Sequence, residues 1–198
     1  LDKNIVPWYR ECDSTVFFNQ LLKELDGNEI LALGEATHGT HEFYRDKAGL
    51  IKMLVADGRY RVIGFEFDGD AMEKINAYLQ GGDYDLRSLM EGLYLYNTEE
   101  ILDLFVWLRA FNMERRPEER VTLLGFDNTM FHHDPISRDG WMFEYLREQL
   151  DSLNTGKAIL WAHNVHILRD TVAVGAKGLG YFLHRQYGDA YYALGFDS

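Results

Sequence analysis

Five short apolar runs set the terms on which this chain can fold: EILALG (29–34), YRVIGFEF (60–67), RVTLLGF (120–126), KAILWA (157–162) and AYYALGF (190–196). They are β-prone and near-continuous rather than alternating, the pattern of strands buried on both faces, as in a parallel sheet. Segments of helical period lie between them. Residues 40–56 place Phe43, Leu50, Ile51, Leu54 and Val55 near one face, and Asp57-Gly58 supplies a stop. Thr98-Glu99-Glu100 is a capped, acid-rich helix start leading into ILDLFVWLRAFN. Further helices are expected over 14–25, 70–79, 137–150 and 178–187. Strands alternating with helices predict an α/β fold, a mainly parallel β-sheet flanked by helices. At 198 residues and 46% hydrophobic content, 1–198 reads as a single domain. Its least regular stretch is DNTMFHHDPISRD (127–139), which reads as a trimmed or mobile insertion.

The same five runs also point to where chemistry gathers. Strand one ends in Glu35 and His38, strand two in Glu66 and Asp68, and strand three in Asp127. Strand four ends in His163 and His166, and strand five in Asp197. In a parallel sheet the carboxyl ends share one edge, and that edge is where open α/β sheets hold their ligands. The expected site therefore lies at the carboxyl edge of the strands.

A histidine titrating near neutrality can take a proton from water, and a neighbouring carboxylate can fix its tautomer and stabilise the imidazolium. Glu35 and His38 supply such a pair, although singly each also suits a turn cap or a satisfied turn histidine. The HNVH stretch adds His163 and His166, either of which could donate to a developing oxyanion or bind a carbonyl. Other nucleophiles fare worse. Cys12 has no motif around it and no serine sits in a GxSxG elbow. Neither GxGxxG nor GxxxxGK[ST] is present, so nucleotide binding is not indicated.

Glu35, His38, His41, His163 and His166 are all competent zinc or iron ligands. There is no HExxH, no cysteine pair and no dense aspartate array, so the expected chemistry needs no metal and no cofactor. His132-His133 reads as a solvated loop pair. Phe105, Trp107 and Phe111 form a helical stripe read as core.

Charge narrows the partners. Thirty-two acidic against 20 basic residues give a net charge of −12, which disfavours nucleic acid and anionic membranes. No run is long enough to cross a bilayer, and LDKNIVPWYREC lacks the apolar stretch of a signal peptide. A chain beginning at Leu1 leaves a removed leader open. The lone Cys12 fits a reducing compartment, and a cytoplasmic location is the expectation.

These blocks, taken together, resemble a known family. LALGEATHGTHEFYRDKAGLIKMLV, VIGFEFD, INAYLQGG, TEEILDLFVWLRAFN, VTLLGFD, SRDGWM, ILWAHNVHILRD and GLGYFLHRQYGDAYYALGFD look like the erythromycin esterase family, in the same order, from about Leu21 onward. The resemblance implies hydrolysis of a small-molecule ester or lactone, macrolide antibiotics being the family's substrates, without a covalent enzyme intermediate. It makes His38 the general base and Glu35 the group that orients it. Glu66, His163 and His166 would line the site, and Arg138 could contact a substrate oxygen or pair with a carboxylate. Lys47 stands where such relatives carry arginine. It keeps the charge but loses the bidentate fork, and it reads either as an anion contact or as a solvated helix charge.

The resemblance also implies helical material between the GFD strand and the RD block, where this chain has only the short connection around 128–138. Two other readings stay open: a metal- or haem-binding protein using the Glu/His cluster, and a non-catalytic family member that binds a small ligand.

Overall fold

A computed structural model describes residues 14–134, 136–169 and 177–197 of the protein. Cys12 and the leader reading of 1–12 lie outside the described residues. In chain order the elements are α1 (Ser14–Glu24), β1 (Ile30–Glu35), α2 (His41–Asp57), β2 (Val62–Asp68), α3 (Gly69–Leu79) and α4 (Leu86–Met90). A 3-10 segment, Glu91–Tyr96, leads into α5 (Glu99–Met113), which is followed by β3 (Thr122–Asp127). After a 3-10 turn at Thr129–His133 come α6 (Arg138–Ser152), β4 (Ala158–His163), α7 (Asn164–Ile167), α8 (Leu179–Tyr187) and β5 (Tyr191–Phe196).

The five apolar runs are the five strands, within two residues at each end. They form one sheet in the order β3-β2-β4-β1-β5, and every pairing is parallel. Near-continuous apolarity is needed because both faces are covered. Leu31, Leu33, Ile63, Phe65 and Trp161 face one core with α2, α3 and α5, while Ile30, Ala32, Leu124, Phe126 and Leu160 face a second core with α6 and α8. This alternation along each strand decides on which side each polar strand tip emerges.

Local signals act as the sequence predicts at several boundaries. Gly58 ends α2 in the left-handed region (φ 90°) and its N–H bonds the Val55 carbonyl at 3.1 Å. Thr98 caps α5, its hydroxyl accepting from the Ile101 N–H at 3.4 Å. Phe105 and Phe111 are core, as expected.

Two expectations change. The buried face of α2 runs through Tyr44, Lys47, Ala48, Leu50, Ile51, Leu54 and Val55, and Phe43 is only partly buried. The stretch expected to be a mobile insertion is largely structured, by the 3-10 turn and by α6, which takes in Arg138 and Asp139. Residues 86–96, for which no element was expected, form α4 and its 3-10 extension. Among the described residues no helix is long and apolar enough to cross a membrane.

Gly34 shows how the two histidine-bearing motifs come together. A Cβ there would sit 2.2 Å from Asn164 Oδ1 and 2.5 Å from Ile167 Cδ1, so only glycine lets α7 lie against β1. The GEATHG strand end and the HNVH turn are thus brought into contact by a missing side chain.

Candidate active site

In the sheet register Glu35 stands beside His163, and Phe65 beside Trp161, so the tips of β1, β4 and β2 finish at nearly one level. Strand alternation divides their side chains between the two faces of the sheet. Glu35 follows Leu31 and Leu33 onto the α2 side, whereas Glu66 follows Val62 onto the α6 side.

On the α2 side, Glu35 is fully buried and holds His38 Nδ1 at 2.9 Å through Oε1. Its other oxygen, Oε2, pairs with Lys47 Nζ, which also donates to the Ala162 carbonyl at 3.3 Å. Lys47 has no exposed surface, and its ammonium lies 4.3 Å from the centre of the Trp161 ring. The reading of Lys47 as a solvated helix charge is therefore corrected, and the anion it contacts is the Glu35 carboxylate. It sits one turn below Tyr44 on the buried face of α2 and neutralises Glu35 from beneath. Burial pulls its pKa down to about 8, against the upward pull of Glu35.

His38 is 26% exposed, the only member of this trio open to solvent, and no hydrogen bond engages its Nε2 among the described residues. It leaves the chain from a turn that needs Gly39 at φ 75° and that is closed by a 2.6 Å bond between the Thr37 and Thr40 hydroxyls. Thr40 therefore spends its side chain on the turn rather than on capping α2.

His163 has a different task. Its Nδ1 accepts from the Val165 N–H at 3.2 Å and its Nε2 donates to the Ala36 carbonyl at 2.9 Å. Each backbone partner has a single role, so the Nε2–H tautomer is fixed. Both ring nitrogens are spent, which leaves none for the oxyanion contact considered from sequence. The ring instead pins β4 to the end of β1, with its centroid 5.0 Å from that of His38.

On the α6 side a second cluster forms. His166 lies between two carboxylates, Nε2 on Glu66 Oε1 at 3.0 Å and Nδ1 on Asp139 Oδ1 at 2.6 Å. Glu66 also accepts from Arg138 Nη2 at 3.1 Å and from the His163 backbone N–H at 2.8 Å. Arg138 reaches Asp127 at 2.6 Å, and Asp127 holds His132 at 3.0 Å, so His132 is not simply solvated. Asp139 further accepts from the Leu179 N–H at 2.8 Å. Of the two roles expected of Arg138, the structure shows the carboxylate pairing. The group joins β2, β3, α6, α7 and α8 as a latch.

Burial opposes charge in this latch, and pairing outweighs it. Burial would lower the pKa of His166, yet Asp139 and Glu66 raise it to about 9. Burial would raise that of Glu66, yet His166, the His163 amide and Arg138 bring it down to about 2. The sign for stability follows from linkage. A raised histidine pKa stabilises the fold fully below its ordinary 6.5 and is lost as pH rises through 9. A lowered glutamate pKa stabilises fully above 4.5 and is lost as pH falls through 2. The unfolding free-energy difference between the wild type and His166→Gln is therefore expected to be largest from pH 4.5 to 6.5 and to shrink toward pH 9. Urea unfolding across that range measures it, and a pH-independent difference would contradict the charged latch.

Sequence reasoning overlooked Asp139. It stands in the RD block beside Arg138, but only the docking of α6 turns both residues toward one cluster. Among the described residues no group of three or more His, Cys, Asp or Glu side chains is arranged to hold a metal ion.

The Erythromycin esterase family model matches residues 55–134 and 128–198, most of the chain. The chain belongs to the erythromycin esterase family. The two matched pieces overlap at 128–134, within the short β3 to α6 connection.

Among curated relatives, "Erythromycin esterase type II" of Escherichia coli is 30% identical over 112 residues, which are 56% of this chain and 26% of that protein. "Putative hydrolase YbfO" of Bacillus subtilis is 32% identical over 110 residues, 54% of this chain and 23% of that protein. The matches thus span about a quarter of each relative's length. Two solved structures share the fold. A succinoglycan biosynthesis protein matches with TM-score 0.81 at 17% identity, covering 97% of this chain and 71% of that one. A mutant of the erythromycin esterase EreC in its open conformation matches with TM-score 0.70 at 16% identity, covering 93% and 73%.

Proposed function

We propose that the protein is a hydrolase that cleaves a carboxylic ester or a macrolactone with water, using His38 as general base. The observation that carries this reading is the wiring of His38. Its Nδ1 is held by a buried carboxylate that is itself paired with a buried lysine, and its Nε2 is left free, among the described residues, at the open edge of the sheet. A water placed against Nε2 gives up its proton as its oxygen attacks the ester carbonyl. Glu35 then stabilises the imidazolium, and Lys47 keeps Glu35 in place to do so. No covalent enzyme intermediate is formed.

Glu66, His166 and Arg138 take supporting roles, since their polar atoms are committed to one another. Family membership and the names of the relatives support hydrolysis, and they make macrolides the first substrates to try. The test is incubation with a panel of macrolides, simple lactones and linear esters, followed by mass spectrometry. The expected product is substrate plus one water. No hydrated product across the panel would end the hydrolase reading.

A further inference from the structure

We propose that His41, held by Glu100, is the acid that protonates the departing alkoxide while His38 takes the proton of the attacking water. The inference rests on the hydrolase reading and adds a second catalytic residue to it. It starts from a count of free ring nitrogens. His163 has none, because backbone groups take both. His166 has none, because Glu66 and Asp139 take both, and it lies on the opposite side of the sheet. His132 belongs to the latch through Asp127.

On the α2 side of the sheet His38 and His41 remain, and they leave the same turn, the one fixed by Gly39 and the Thr37 to Thr40 bond. The two are wired alike. Each is held by a glutamate oxygen through Nδ1, His38 by Glu35 from β1 and His41 by Glu100 from the first turn of α5. Each leaves Nε2 unengaged among the described residues. They differ in access: His41 is 61% exposed, so it can be recharged from solvent, whereas His38 is mostly enclosed.

Beside this pair, Tyr44, one turn along α2 from His41, donates its hydroxyl to the Leu95 carbonyl at 3.2 Å. That contact ties the 3-10 segment that carries the half-exposed Leu95 to α2.

The proton account closes. The reaction begins with neutral His38 and protonated His41. Water attacks the carbonyl carbon and its proton passes to His38 Nε2. The tetrahedral intermediate then collapses, the C–O electron pair goes to the leaving oxygen, and that oxygen takes the Nε2 proton of His41. His38 releases its proton to solvent, His41 takes one up, and the carboxylic acid product ionises to carboxylate and a proton. The net change is ester plus water to carboxylate, alcohol and one proton.

The same geometry could instead be a surface staple between α2 and α5, and leaving-group chemistry separates the two roles. An alkoxide needs a proton to depart, whereas a nitrophenolate does not. The experiment compares an alkyl and a p-nitrophenyl ester of one acid, in wild type, His41→Gln, Glu100→Gln and His38→Ala, with thermal melts of each. In His41→Gln the ratio of kcat for the alkyl ester to kcat for the aryl ester is expected to fall about 10²-fold, the lower range for general acid catalysis. In Glu100→Gln it is expected to fall in the same direction by less.

An unchanged ratio overturns the role of His41, whether both rates fall together, as a staple requires, or neither does. So does a wild type that cleaves only the aryl ester, since it then lacks an acid for alkoxides. A wild type that cleaves neither ester, and is indistinguishable from His38→Ala, removes the hydrolase reading beneath the proposal.

Discussion

Lys47→Met is expected to lower the unfolding free energy by about 3–5 kcal/mol, the range found when one partner of a buried ion pair is removed. Methionine fills nearly the same volume against Trp161, so the cost is electrostatic. Glu35, fully buried, loses its counter-charge and, among the described residues, keeps only His38 as a side-chain partner. Adding Glu35→Gln to Lys47→Met should therefore recover much of the loss, because no uncompensated charge is left inside. Urea unfolding of the two single variants and the double variant measures the coupling. A loss under about 1 kcal/mol in Lys47→Met, the scale of an exposed pair, would mean that Glu35 is satisfied some other way.

His38→Ala is expected to reduce ester turnover by about 10²–10⁴-fold, the contribution typical of a positioned general base. Little stability should be lost, because the ring is partly exposed and makes, among the described residues, a single hydrogen bond at the end of a turn. Activity and melting temperature are measured on the same preparation. Turnover equal to wild type on every ester that the wild type cleaves would take His38 out of the mechanism. A collapse of the melting temperature would instead make it a packing residue of the turn.

The strands, the main helices and the carboxyl edge were legible because their signals are local. A run such as ILALG announces burial on both faces, and Asp57-Gly58 or Thr98 announces a helix end, wherever the rest of the chain goes. What was not legible depends on partners distant in sequence. Lys47 looks like any helix charge until Glu35 is seen beneath it, although it is in phase with Tyr44, Ile51 and Leu54, and that phase was an available clue.

The short helices at 86–96 escaped for another reason. RSLMEGLYLY has no clean period, and Tyr94 breaks the 3-10 segment with φ 45° and ψ −97°, a conformation that contacts around it must hold in place. His163 and His166 were read alike from HNVH. The structure separates them by the identity of their partners, backbone for one and carboxylates for the other.

The ring of His163 grips β1, and its backbone amide grips Glu66. The spacing between the two charged clusters is consequently gauged by one residue of a central strand, not by flexible side chains meeting across a cleft. Each side of the sheet can then vary almost as a separate module. New residues around His38 could retune what is cleaved, and new residues around Arg138 could retune how tightly α6 is held, while the distance between them stays at the value β4 sets.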